Sequence, residues 1–489
     1  MALRTGEQYA NDLKKQKRTI YMHGERVTGD WTGYPLIKEA INCNRVAFDL
    51  AQQDEYRDIA TTESPLIGER VSRFVQLQTS RDDLIQRALA NRECQLRHGS
   101  CHAARCSEAH AIQGLFATTY DMDKKLGTDY HQRFTKFLEE VQRKDLAGTL
   151  NSCDVKGDRS KRPGEQSDLD MHVHIVERRS DGIVIKGAKA HQSTPIAADF
   201  HFVVPYVPAR KGEEDWAVAC AVPADAEGLI HIMESPACDA PRFIEGSDID
   251  LGNPEFGAHA ASLMIFDDVF VPYEHVFMAG EADFALELIT IFSKFQRTGG
   301  AMCKSAAVEL MAGAAATMAE YNGIDWSKEP IIRQKVMDMI TLAVECRAVA
   351  IGGCAMAKQH PSGIFVADEL MINAAKLCHV EAISKATTML IDITGGIIAT
   401  LPSERDLRAP ETGKYLQKYL KAAEGVSVED RMRMIRLCEY LSGGSSTLRA
   451  ASVHTGGSPE VAKLLIRVAA NVGELKGYAK KLAKIQDVG

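Results

Sequence analysis

The chain has 489 residues, 45% of them hydrophobic and 25% charged, with a formal net charge of −8. That length exceeds what one hydrophobic core usually organises, so two or three domains or one intertwined unit are expected. No dense Lys/Arg stripe with interleaved aromatics occurs, which argues against nucleic acid and for a small-molecule enzyme. The 12 cysteines lack the short regular spacing of a disulfide scaffold, and the first residues lack the apolar core of a secretory leader. With no apolar run long enough to cross a bilayer, a soluble chain in the reducing cytoplasm, with no membrane partner, is the expectation.

Residues 1–147 read as a helical domain. Ser64–Leu96 opens on Ser-Pro and carries apolar residues at three- and four-residue spacing, and Glu108–Leu146 continues that period. Over 148–278 the period shortens to two. Asp170–Thr194 alternates around the turn Arg178–Gly182, and further strand-like runs follow at 200–208, 216–223, 229–233 and 263–272. Over 279–489 long apolar helices return, the first ending on Asn322-Gly323 as a C-cap signal. Helices apolar on more than one face must be buried between other helices or between subunits, so a homotetramer or dimer is expected. The fold class is α+β, mainly α: an N-terminal helical domain, a middle β-domain and a C-terminal helical bundle.

One stretch stands out. Gly99–His110, "GSCHAARCSEAH", packs two cysteines and two histidines into twelve residues. If the whole stretch is helical, His102 and Cys106 share a face, and Cys101 is turned from it by roughly 100°. Simpler readings stand beside a metal site: buried apolar thiols, a helix-surface His110, and a same-face pair of exposed strand histidines, His172 and His174.

Three further motifs point to a family. "DVKGDRS" (Asp154–Ser160), "GAKAHQS" (Gly187–Ser193) and "DITGG" (Asp392–Gly396), set in a helical, β, helical order, resemble the acyl-CoA dehydrogenase-like flavoproteins. That resemblance implies FAD held by Asp158, Arg159, Ser160, His191, Gln192, Ser193, Gly395 and Gly396. The stretches "INCNRVAFDLAQ", "FATTYDMDKKLGTDYHQRFTKFL", "DIDLGNPEFG", "FDDVFVP" and "HTGGSPEVAKLL" resemble the branch containing 4-hydroxyphenylacetate 3-hydroxylase and, more strongly, 4-hydroxybutyryl-CoA dehydratase.

The dehydratase branch implies a short hydroxyacyl- or enoyl-CoA substrate, dehydrated or isomerised at a double bond, with an iron–sulfur cluster on three Cys and one His beside FAD. Set against that pattern, this chain has His102 at the first Cys place, Cys106 at the second, Gln296 at the His place and Cys303 at the third. The standard cluster is therefore not expected, and His102, Cys106 and Cys303, with Cys101, remain as candidate metal ligands. Gly300 replaces a Tyr of the family, and Ala261 and Ala451 each replace a Glu; the lost groups are ones that move protons. Lys304 and Ser193 are left as catalytic candidates, with Lys304 placed at the opening of an apolar helix and Arg159 as a cation facing the flavin. Two other functions are compatible: a reduced-flavin monooxygenase served by a separate flavin reductase, and a non-catalytic paralogue that binds FAD or CoA.

Overall fold

The computed structural model describes residues 3–243, 248–452 and 454–485. The N-terminal part is built on α1 (Gly6–Lys14), β1 (Thr19–Met22), β2 (Glu25–Arg26), α2 (Pro35–Ala51), α3 (Arg57–Ala60), β3 (Thr61–Glu63), β4 (Arg70–Ser72), α4 (Arg81–His98), α5 (Ala103–Leu126) and α6 (Tyr130–Lys144). One helical expectation is corrected here. Pro65 does not open a helix: Thr61–Glu63 pairs antiparallel with Arg70–Ser72, and the Ser64 hydroxyl accepts the Leu66 N–H inside the turn. The helix waits until Arg81, where Ser80 caps it by accepting the Asp83 N–H. Glu108–Leu146 is helical as expected, broken once where Gly127 takes a left-handed φ of +72°.

The middle part holds β5 (Gly148–Asn151), β6 (His174–Arg178), β7 (Gly182–Gln192), β8 (Phe200–Val203), β9 (Val218–Pro223), β10 (Leu229–Met233), β11 (Ser262–Pro272) and β12 (Val276–Ala279). They form two sheets, β2-β1-β10-β11-β7-β6 and β12-β9-β8-β5. The first sheet takes β1 from the N-terminal segment, parallel to β10, so the two parts are stitched together by backbone hydrogen bonds. The hairpin read at Arg178–Gly182 is present as the antiparallel pair β6/β7. Its histidines are not exposed: His172 and His174 are both buried, and the His174 ring stacks on Trp216 at 5.1 Å. Phe134 and Phe137 of α6 wedge against Phe202 and Phe277, which seats the helical layer on the second sheet.

The C-terminal part runs α7 (Ala282–Tyr321), α8 (Pro330–Ala355), β13 (Lys358–Gln359), β14 (Phe365–Val366), α9 (Glu369–Thr394), α10 (Glu404–Arg408), α11 (Pro410–Tyr419), α12 (Val428–Gly443), α13 (Ser445–Ala450), α14 (Pro459–Ala469) and α15 (Val472–Leu482). Small side chains such as Ala312, Ala315, Ala343, Ala382 and Ala386 are buried in the core shared by α7, α8 and α9, which lets their backbones approach closely. Other faces stay uncovered in the single chain: Met337, Ile340 and Val344 on α8, and Leu464, Val468, Leu475 and Leu482 on α14 and α15, the last 86% exposed. Among the described residues no helix is long and apolar enough to cross a membrane.

Buried charge locks the first two parts in place. The Arg105 guanidinium of α5 donates to Glu108 at 3.0 Å and to the Leu146 carbonyl at 2.8 Å, and pairs with Asp145. Glu108 in turn accepts the Gly148 N–H of β5 at 2.6 Å. Both carboxylates and both terminal nitrogens of Arg105 are paired, and among the described residues only its Nε has no partner; such pairing is what makes charge tolerable out of water. The result is a rigid base under the start of α5.

Candidate active site

The residues of interest lie where α4 hands over to α5. Gly99 ends α4 with a φ of +62°, and α5 starts only at Ala103, with His102 in a non-helical conformation. Cys101 and His102 therefore precede the helix. The expectation that helix geometry turns Cys101 away is overturned, because the geometry it assumed begins two residues later.

His102 is held by a relay whose tautomers follow from its donors. The Ser100 N–H donates to His98 Nδ1 at 2.9 Å, so the His98 proton sits on Nε2 and points at His102 Nδ1, 2.8 Å away. The His102 proton is then on Nε2, directed at the Asn91 side-chain oxygen at 3.1 Å. Burial, with the Lys304 and Arg87 charges, lowers His102 to about 3 and keeps the ring neutral. Both ring nitrogens are thus committed, and His102 has none left for a metal.

The thiols gather round Lys304. This lysine is not at a helix opening but in the middle of α7, 4% exposed. Its ammonium donates to Cys303 Sγ at 3.1 Å. Burial works against the charge, yet Cys303, Cys101 and Cys106 together raise the Lys304 pKa above its ordinary value. In return Lys304 pulls down the Cys101 thiol, which burial pushes up to about 11. Cys106, pushed up by burial to about 12, lies beside the Arg87 guanidinium, which is 1% exposed. Among the described residues Arg87 Nε and Nη1 have no hydrogen-bond partner. Cys106 Sγ is 3.8 Å from His110 Nε2, and His110 is buried rather than on the helix surface as expected. The centre therefore holds two buried cations, Arg87 and Lys304, whose neighbours are thiols rather than carboxylates.

Sequence reasoning missed a second group. Glu234, just past β10, accepts the Ala261 N–H at 2.7 Å and pairs with Arg449 of α13; His259 Nδ1 is 3.7 Å away. Burial raises Glu234, but His259, Arg449 and the Ala261 N–H outweigh it and hold the carboxylate at about 2. Ala261, which reads as the site of a lost acid, thus presents its backbone to an acid from elsewhere in the fold. Gly300 is likewise filled: a Cβ there would stand 2.2 Å from Thr455 Oγ1, so the loop after α13 occupies the space of the family's Tyr. Ala451 lies half-buried just after α13, next to the loop that carries His454.

The residues read as flavin contacts fall into two places. Lys189 of β7 pairs with Asp154 at 2.7 Å and donates to the Ser152 and Val204 carbonyls, which fixes the 152–156 backbone beside β7. Asp158 then accepts the Ser160 N–H and hydroxyl in an exposed turn that also presents Arg159. At the end of β7, His191 is exposed with a φ of +60°, Gln192 spends its amide on the Cys153 and Ala190 carbonyls, and Ser193 is half-buried. Thr194 Oγ1 accepts the Ala104 N–H at 3.1 Å, so this strand end abuts the cysteine segment. His191 also lies within electrostatic reach of Lys156, Arg449 and Glu234. Gly395 and Gly396 are elsewhere. They sit at the far end of α9, 19 residues beyond Lys376, whose ammonium reaches the Ser452 and His454 carbonyls at the site. At 1.5 Å per residue that is about 28 Å away. No side chain crowds the position a Cβ would take at either glycine.

The four cluster places implied by the resemblance are held by His102, Cys106, Gln296 and Cys303. One offers no free nitrogen and one only an amide, where a sulfide cluster takes thiolate or imidazole. These four residues do not fit that cluster.

Whole-chain similarity agrees with this architecture. The N-terminal profile of the 4-hydroxyphenylacetate 3-hydroxylase family matches residues 5–278 and the C-terminal profile residues 285–484. The fold is thus of the mainly helical, mixed α+β class. It belongs to the 4-hydroxyphenylacetate 3-hydroxylase family. It is 36% identical to the 4-hydroxybutyryl-CoA dehydratase/vinylacetyl-CoA-Δ-isomerase of Clostridium aminobutyricum, over 99% of this chain and 100% of that one. The structure of an oxygen-tolerant archaeal 4-hydroxybutyryl-CoA dehydratase from N. maritimus matches with a TM-score of 0.95 at 35% identity, covering 99% of this chain and 96% of the other. The 4-hydroxyphenylacetate 3-monooxygenase oxygenase component of Thermus thermophilus is 25% identical over 89% of this chain and 87% of its own. An FAD complex of such an oxygenase component shares the fold, with a TM-score of 0.84 at 24% identity over 98% of each chain.

Proposed function

We propose that this chain is an FAD-dependent enzyme that dehydrates or isomerises a short hydroxyacyl- or enoyl-CoA without the iron–sulfur donor set of the dehydratase branch. The observation that carries this reading is the buried Lys304 ammonium on Cys303, retained in a scaffold 36% identical throughout to a dehydratase/isomerase. When bound, FAD supplies an electron-accepting ring. In this reading Ser193 and the β7 backbone border that ring, with Asp158, Arg159, Ser160, His191 and Gln192 around them. Lys304 donates a hydrogen bond to the thioester oxygen. Glu234, held as a carboxylate, orients His259 beside it.

Because Gly395 and Gly396 lie about 28 Å along α9 from the site, they serve the FAD of a second copy, and the uncovered faces of α8, α14 and α15 support a homotetramer or dimer. The division at 1–147, 148–278 and 279–489 follows the change from helices to sheets and back. A cytoplasmic setting fits 12 free cysteines.

Anaerobic incubation of the FAD-loaded full chain with vinylacetyl-CoA and with 4-hydroxybutyryl-CoA, followed by the appearance of crotonyl-CoA, tests the reading. Conversion lost in Lys304→Met supports it. Absence of conversion, together with phenol-dependent oxygen uptake when reduced FAD is supplied by a flavin reductase, would replace it by the monooxygenase reading, which the Thermus thermophilus relative favours.

A further inference from the structure

We infer that Cys101, His259 and His454 form a mononuclear transition-metal site, taking a divalent ion of the zinc, cobalt or ferrous class. The three ligand atoms lie within 4.8 Å of one another. They come from three separate segments: the turn before α5, the loop before β11 and the loop after α13. Local sequence therefore does not explain their meeting.

One clasp brings the first pair together, and a second bond anchors it to α2. The Ser100 hydroxyl donates to the Ala258 carbonyl at 3.3 Å, and the Ala258 N–H donates to Glu39 of α2 at 2.8 Å. Cys101 and His259 are the next residues on each side of that clasp. His454 is held by its backbone: its N–H donates to the Arg449 carbonyl at 3.1 Å, and its carbonyl accepts the Lys376 ammonium at 2.8 Å.

An independent observation points to a ligand. His259 is 1% exposed; its Nδ1 faces Glu234, but among the described residues its Nε2 has no hydrogen-bond partner. Leaving a buried polar group unsatisfied is costly, and native proteins rarely do so without an occupant or a task. A metal satisfies that nitrogen. Glu234 stands 3.7 Å from His259 Nδ1, the arrangement in which a carboxylate orients a ligating histidine, and this leaves Nε2 to bind the ion.

The donors select the class of ion. One thiolate and two neutral imidazoles suit Zn²⁺, Co²⁺ or Fe²⁺ and not the oxygen-seeking Mg²⁺ or Ca²⁺. Binding converts the Cys101 thiol to a metal thiolate and releases one proton to solvent, so charge and atoms balance. Lys304, Arg449 and Lys376 are the basic groups facing the site, and Glu234 already offsets Arg449. Three protein ligands leave a fourth position for water or a substrate oxygen. None of this depends on the acyl-CoA reading, and metal binding is measured without turnover.

The test is an anaerobic Co²⁺ titration of the full FAD-loaded chain after chelator treatment, followed by visible absorption. The expected result is about one ion per chain, with a thiolate-to-cobalt charge-transfer band and the d–d bands of a four-coordinate ion. Cys101→Ser and His259→Gln should abolish the charge-transfer band or the binding. Glu234→Gln should weaken binding by ~10- to 100-fold. Cys106→Ser and the exposed Cys238→Ser should leave the spectrum unchanged. Because His454 is half-buried, His454→Gln puts the fold least at risk and decides the matter if the other ligand variants fail to fold. The inference is overturned if the wild-type chain binds no cobalt, if His454→Gln titrates like the wild type, or if the band disappears in Cys106→Ser.

Discussion

Replacing Glu234 by Gln keeps the side-chain shape and its contact with the Ala261 N–H but removes the charge facing Arg449 and His259. The carboxylate sits at about 2 in the folded chain against an ordinary value of 4.5. That difference sets an upper bound of ~3 kcal/mol of stability, because His259, one of its causes, is neutral at pH 7. The sign follows from the lowered pKa: the stabilisation is fully present above the unfolded value near 4.5 and is lost as pH falls toward 2. For a chain of 489 residues, an unfolding entropy of about 2.1 cal/mol/K per residue gives ~1 kcal/mol per degree. Glu234→Gln should therefore lower the thermal midpoint by at most ~3 °C at pH 7, and the gap should narrow by at most ~2 °C at pH 3.5, one pH unit below the unfolded value. Differential scanning of the two proteins in parallel at both pH values measures it. A gap that stays constant or widens in acid would refute the placement of Glu234 in this network.

Gly300→Ala should cost ~1 to 3 kcal/mol by forcing a Cβ into Thr455. Thr455 holds a φ of +65°, so Thr455→Gly removes both the clash and the strained backbone, and the double variant should recover most of the lost thermal midpoint. His102→Ala orphans the His98 Nε2–H and the Asn91 oxygen, at ~1 to 3 kcal/mol for each group. It should lower the midpoint while leaving cobalt binding intact; loss of cobalt would make His102 a ligand after all. Lys304→Met should retain the FAD content of the wild type and lose at least ~100-fold in turnover, measured as crotonyl-CoA formation.

The parts of the fold legible in the sequence are those set by local pattern. The alternation around Arg178–Gly182 gave the β6/β7 hairpin, and Asn322-Gly323 marked the end of α7, because strand period and capping are written within a few residues. Ser64–Leu96 was misread because Pro65 and Gly68 shape a turn between two short strands, and Ser80 is the true cap. The site was harder. Arg97, His98 and Gly99 form a basic last turn followed by a glycine, the usual signature of a helix end. That signature places Cys101 and His102 in a turn, off any helical face. Glu234, Arg449, His259 and His454 carry no such mark. They meet through sheet register and loop packing between segments up to 215 residues apart, which no local spacing encodes.

The proposed reaction is acyl-CoA chemistry on a flavin scaffold without the four-ligand cluster. Anaerobically purified full-length protein, assayed for FAD, iron, acid-labile sulfide and crotonyl-CoA formation on one preparation, tests it most directly. The expected result is bound FAD, no acid-labile sulfide, and turnover that scales with FAD. A brown protein carrying sulfide in step with its iron, whose turnover rises and falls with that sulfide, would contradict it.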